Sequence, residues 1–90
     1  MLRRMKSGEL ERAVELLERG DWQGAHEIVQ KDEQSRLSCW AHGIVHILEG
    51  DTSNARYWYR QAKRPYPNEA SAAKEIQSLR TELARAPSRG

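Results

Sequence analysis

The segment RLSCWAHGIVHILEGDTSNARYWYRQA, residues 36–62, carries two apolar stripes with a glycine–aspartate corner between them. Leu37, Trp40, Ala41, Ile44, Val45 and Leu48 recur at three- and four-residue intervals, the spacing that lines one face of a helix. Ala55, Trp58, Tyr59 and Ala62 repeat the pattern beyond the corner. Gly50 accepts the left-handed backbone that ends a helix. Asp51 then supplies an acceptor for the unpaired amides of the next helix and suits its positive end. Ser35 stands as a cap before the first stripe. The spacing predicts helices near 36–49 and 52–63, packed antiparallel because the turn is short.

Outward from this segment the same signals recur. Leu10, Ala13, Val14 and Leu17 predict a helix near 8–19, capped by Ser7 and stopped by Gly20. Trp22, Ala25, His26 and Val29 predict another near 21–33, capped by Asp21. Pro65 and Pro67 bar continuation of the fourth helix. Ala72, Ile76, Leu79 and Leu83 then predict a fifth near 68–85, starting at Asn68 and stopping before Pro87. No stretch alternates with period two for long enough to make a strand. The expected fold is all-α: five helices in a single domain over 1–86, with 87–90 a flexible tail.

The chain also echoes itself at a spacing of 30 residues: Leu17, Gly20, Asp21 and Ala25 correspond to Ile47, Gly50, Asp51 and Ala55. Each corner reads Gly to stop, Asp to cap and a small Ala to let the second helix approach. Gly50 to Ala55, followed by Tyr59, Ala62 and Pro65, resembles the second half of a tetratricopeptide repeat. The resemblance spans roughly residues 8–65 and implies two antiparallel hairpins with the last helix as a cap. The 30-residue spacing is shorter than that family's usual length of about 34. A second resemblance rests on AHEIVQ at 25–30, on Trp40, His42 and His46, on EGD at 49–51 and on NARYWYR at 54–60. Over about residues 22–64 the chain is similar to a family of small uncharacterised bacterial proteins. That resemblance implies a bacterial protein and no particular activity.

Composition excludes several classes. Ninety residues make one domain with a modest core. A formal net charge of +2 is too small to drive binding to nucleic acid. The lone Cys39 excludes an internal disulfide. The longest apolar stretch, Ile44 to Leu48, is broken by His46 and falls far short of the roughly 20 residues a membrane span needs. The basic start is not followed by an apolar run, so no secretory signal is expected and the expected location is the cytoplasm. With three Trp, three Tyr and no Phe, those six rings must supply the aromatic packing.

Two groups of residues carry chemistry. His42 and His46 lie one helical turn apart, so both imidazoles can reach one ion. Glu49, three residues on, is placed to ligate or to hold a ring, and His26 on the second helix is placed to complete a set from across the bundle. Cys39 lies about 10 Å along the axis from His46 and cannot share an ion with it and Glu49. The alternative for each histidine is a core imidazole bonded to a neighbouring polar group. In the second group, Arg56, Arg60 and Lys63 form an outer stripe with Tyr57 and Arg64 beside it, and Trp40, Tyr57 and Arg60 would border an open partner groove. Neither a nucleophile with an oxyanion hole nor a glycine-rich phosphate loop is present, and no cofactor is expected.

Two functional readings follow. The first is a module that binds a protein or peptide, or a second copy of itself as a homodimer, through Trp40, Tyr57, Arg56 and Arg60. The second is a small metal- or ligand-binding protein using His26, His42, His46 and Glu49. Convergence of His26 and His46 favours the second; an open groove beside Trp40, Tyr57 and Arg60 favours the first.

Overall fold

The computed structural model describes residues 7–67 and 71–85. Among the described residues five helices follow one another and there is no strand: α1 (Ser7–Glu18), α2 (Trp22–Val29), α3 (Arg36–Glu49), α4 (Thr52–Gln61) and α5 (Ala72–Arg85). The fold is all-α, as the spacing predicts. α1 packs on α2 and α3 on α4, giving two hairpins joined through α2 and α3, and α5 lies against α3 and α1.

α3 is the centre, touching all four other helices, and its residues 38–46 are buried. Leu17, Val14, Val29, Ile44, Val45 and Leu79 meet around Trp40 and Tyr59. Each aliphatic side chain removed from water in this way contributes about 1.5–3 kcal/mol. Trp22 and Trp58 are half-buried and pack on the outside of this core.

The two corners 30 residues apart have the same hydrogen bonds. At the first, the Gly20 amide donates to the Leu17 carbonyl at 3.0 Å and the Asp21 amide to Leu16 at 2.8 Å. At the second, the Gly50 amide donates to Ile47 at 3.1 Å and the Asp51 amide to His46 at 2.9 Å. Both glycines are left-handed, with φ of 82° and 89°. Asp21 then accepts the Gly24 amide at 3.0 Å and Asp51 the Asn54 amide at 3.2 Å, each satisfying an unpaired donor of the new helix.

Several helix ends differ from expectation. α2 stops at Val29 rather than near 33, because the buried Asp32 turns the chain: its Oδ1 accepts the amides of Gln34 at 3.1 Å and Ser35 at 3.0 Å. α4 stops at Gln61, two residues short, at a third corner of the same kind built without glycine. There Lys63 is left-handed, with φ 55°, while its amide donates to Arg60 and that of Arg64 to Tyr59. α5 begins at Ala72, after Ser71, whose Oγ accepts the Lys74 amide at 3.3 Å. The expected start at Asn68 and the tail at 87–90 lie outside the described residues, as does the Ser7 side chain expected to cap α1.

One polar cluster ties α5 into the core. Glu75, 8% exposed, accepts the Trp40 indole N–H at 3.0 Å, the Tyr59 hydroxyl at 2.6 Å and the Arg64 guanidinium at 3.1 and 3.3 Å. Arg64 lies over the Trp40 ring, 3.8 Å from its centre. Burial pushes the Glu75 carboxyl pKa up, but the hydrogen bonds from Arg64, Tyr59 and Trp40 outweigh it and hold the group below its ordinary value.

Candidate metal centre

The antiparallel packing of α2 on α3 brings together the chain's three histidines. His26 comes from the middle of α2, and His42 and His46 from successive turns of α3. The ring centres lie 4.9 Å apart for His26 and His42, 5.5 Å for His26 and His46, and 5.2 Å for His42 and His46. One nitrogen from each ring falls within 4.8 Å of the others. In a tetrahedral zinc site the nitrogens stand about 3.3 Å apart, given metal–nitrogen bonds of about 2.0–2.1 Å.

Each ring is held differently. His46, 7% exposed, has Nδ1 2.7 Å from Glu49 Oε1. A carboxylate only accepts, so Nδ1 carries the proton and the Nε2 lone pair is left available. This carboxylate–imidazole pair is the arrangement that orients a metal-binding histidine. His42, 3% exposed, stacks on Trp58 with ring centres 3.9 Å apart and planes 8° from parallel. Its Nδ1 is buried with no hydrogen-bond partner. Burial, reinforced by the neighbouring His26 and His46, pulls its pKa down to about 3, which keeps the ring neutral and its lone pair free. His26 is half-buried and meets both other rings edge-on, so the cluster opens toward solvent on the α2 side.

A second set, His46, Glu49 and Asp51, has donor atoms equally close together. Asp51 is already engaged as the cap of α4: besides the Asn54 amide it accepts the Asn54 side chain at 3.3 Å and the Ser53 hydroxyl at 3.5 Å. The backbone and side-chain bonds from Asn54 hold its carboxyl below the ordinary range. This set is a capped corner beside the centre. Cys39 stands apart, buried, with its thiol donating to the Glu33 carbonyl and its pKa raised by burial and by Asp32 and Glu33. A groove of about 880 Å³ between α1 and α5, with Leu17, Leu48, Ile76 and Arg80 in its walls, includes none of the histidines.

Of the residues expected to contact a partner, Arg56, Tyr57 and Arg60 are exposed on α4 and Trp40 lies on α3. Trp40, 1% exposed and bonded to Glu75, is a core residue that still lines one side of a surface cavity with Arg64, Gln77 and Thr81. The stripe periodicity already placed it inward, and its indole N–H found an internal acceptor. Tyr57, 44% exposed, stands edge-on to Trp58 with centres 4.9 Å apart. Arg56 lies over the Tyr66 ring at 4.5 Å, and Arg60 is exposed on the same helix.

The sequence reading missed Trp58 as the wall behind His42. It also passed over Gly43, which lets α4 approach: a Cβ there would sit 2.5 Å from Tyr59 Cδ1 and 3.4 Å from the Ala55 carbonyl oxygen. A glycine inside a strong helical stripe was the available signal. Comparison with protein families, with curated proteins and with solved structures returns no match. The two sequence resemblances therefore rest only on the residues that carry them.

Proposed function

We propose that this chain is a small helical metal-binding protein in which His26, His42 and His46 hold one divalent transition-metal ion and Glu49 positions His46. The observation that carries the reading is the convergence of three imidazoles from two helices, one of them buried with an unpartnered nitrogen. A buried nitrogen left without a partner costs about 1–3 kcal/mol, so an ordinary core histidine avoids that state. A cation shared by the three rings gives the arrangement a purpose. Neutral imidazoles favour zinc, copper, nickel or cobalt over calcium and magnesium, which prefer oxygen ligands.

The convergence of His26 with His42 and His46 supports this reading over the interaction module, to which Trp40 offers only 1% of its surface. Calorimetric titration of the purified protein with zinc tests it. The expected result is one ion per chain, bound at micromolar concentration or tighter, with the affinity sharply reduced in His26→Ala. Wild-type protein that takes up no zinc at micromolar concentration refutes the proposal.

A further inference from the structure

Resting on that three-histidine reading, we infer that the zinc-loaded centre is a hydrolytic one, acting on small neutral carboxylic esters through a metal-bound hydroxide. The ligand count points to an open coordination position. Structural zinc sites close with four protein ligands, whereas catalytic sites supply three and leave the fourth position to water. Among the described residues the converging set is three histidines. The nearby candidates for a fourth position are committed elsewhere. Glu49 is bonded to His46 Nδ1, Asp51 caps α4, and the Cys39 thiol points at the Glu33 carbonyl.

The vacant side has the right surroundings. His42 and His46 are buried and His26 is half-buried, so an ion they share faces solvent past α2. Trp58 stacks on His42, and Trp22 stands one turn before His26 on the same face of α2. The half-buried Trp58 indole against His42, with Trp22 one turn from His26, suits an uncharged, flat substrate better than an anion.

The chemistry balances with water alone. Three neutral imidazoles leave the ion its full positive charge, which lowers the pKa of its bound water to about 7. The resulting hydroxide oxygen attacks the ester carbonyl carbon and forms a C–O bond. The tetrahedral adduct collapses with cleavage of the bond to the leaving oxygen, which departs with its electron pair. The acid product ionises, and an incoming water displaces the carboxylate and releases a proton to solvent, restoring hydroxide. With an aryl ester above neutral pH, one ester and one water give a carboxylate, a phenolate and two protons. Glu49 is a positioning residue in this scheme: it acts on the ion through the His46 ring.

The test uses the full chain, 4-nitrophenyl acetate as probe and zinc loading verified by calorimetry. The expected result is zinc-dependent release of nitrophenolate, faster than from free zinc at equal concentration. It should rise with pH through a midpoint near about 7 and be lost in His26→Ala. Circular dichroism establishes that this variant, altered at the half-buried ligand, is folded. Cobalt substitution gives a readout that needs no variant: the visible spectrum shifts on adding azide if the fourth position exchanges. Stoichiometric zinc binding with no hydrolysis above free zinc, or a cobalt spectrum indifferent to azide, overturns this inference and leaves the binding site standing. Failure to bind zinc overturns both.

Discussion

Replacing Glu75 by Gln removes one negative charge from the cluster that joins α5 to α3 and α4 while keeping nearly the same volume. The wild-type carboxylate accepts four hydrogen bonds, from Trp40, Tyr59 and two nitrogens of Arg64. Hydrogen bonds to a charged group contribute about 1.5–3 kcal/mol, and removing one member of a buried ion pair costs about 3–5 kcal/mol. The Arg64 side chain is 31% exposed and regains some hydration, and the amide oxygen still accepts from Tyr59 or Trp40. The expected net loss is therefore roughly 2–3 kcal/mol. For a domain of this size that is a fall of roughly 10–20 °C in melting temperature.

The pH dependence sharpens the prediction. The Glu75 pKa is lowered in the folded state from an unfolded value of about 4.3. Its stabilisation is fully present above that unfolded value and is lost as pH falls through the lower folded one. Urea unfolding of wild type and Glu75→Gln should thus show the full gap at pH 7 and a shrinking gap below about pH 4. A gap that stays constant down to pH 2.5, or one under about 0.5 kcal/mol at pH 7, refutes the assignment of Glu75 as a charged structural hub.

Further outcomes follow from the same contacts. Glu49→Gln should lower zinc affinity about 10- to 100-fold with the fold unchanged, as read by calorimetry and circular dichroism; unaltered affinity removes Glu49 from the centre. Zinc at a hundred times its dissociation constant should stabilise the protein by about 2.7 kcal/mol, seen as a rise in melting temperature that His26→Ala abolishes. Gly43→Ala should destabilise by about 1–3 kcal/mol in urea, because the new methyl meets the buried Tyr59 ring, which its bond to Glu75 prevents from withdrawing. Lys63→Gly and Gly50→Ala, at corners with the same hydrogen bonds, should shift stability in opposite directions. The first gains roughly 0.5–1 kcal/mol and the second loses roughly 1–2, since only glycine takes a positive φ freely.

The helices were legible because the signals were local. Leu37 to Leu48 repeat at helical spacing, and Gly50 followed by Asp51 says where one helix stops and the next starts. The ends at Val29 and Gln61 were not legible. One depends on Asp32 folding back onto Gln34 and Ser35, and the other on Lys63 adopting a conformation its residue type does not announce. Of the candidate site, the pairing of His42 with His46 and the bond from His46 to Glu49 were readable, being three- and four-residue relations on one helix. The arrival of His26 depended on how α2 crosses α3, and the stacking of Trp58 on His42 on how closely α4 approaches Gly43. Neither is encoded in a short window. Trp40 shows the converse: its place on the apolar stripe was readable, but the acceptor of its N–H, Glu75, lies 35 residues away and was not.

The brevity of α2 has a consequence for how the protein breathes. Eight residues fall below the length at which a helix persists unaided, so α2 owes its persistence to its neighbours. His26 sits at its midpoint, and the partners it would share an ion with belong to the other hairpin. An ion there acts as a rivet through the seam, and its removal leaves the seam to packing and to the bond from the Ser38 hydroxyl to the Val29 carbonyl. Amide protons of α2 should exchange with deuterated solvent sooner than those of α3 in the metal-free protein, and slow selectively when zinc is added.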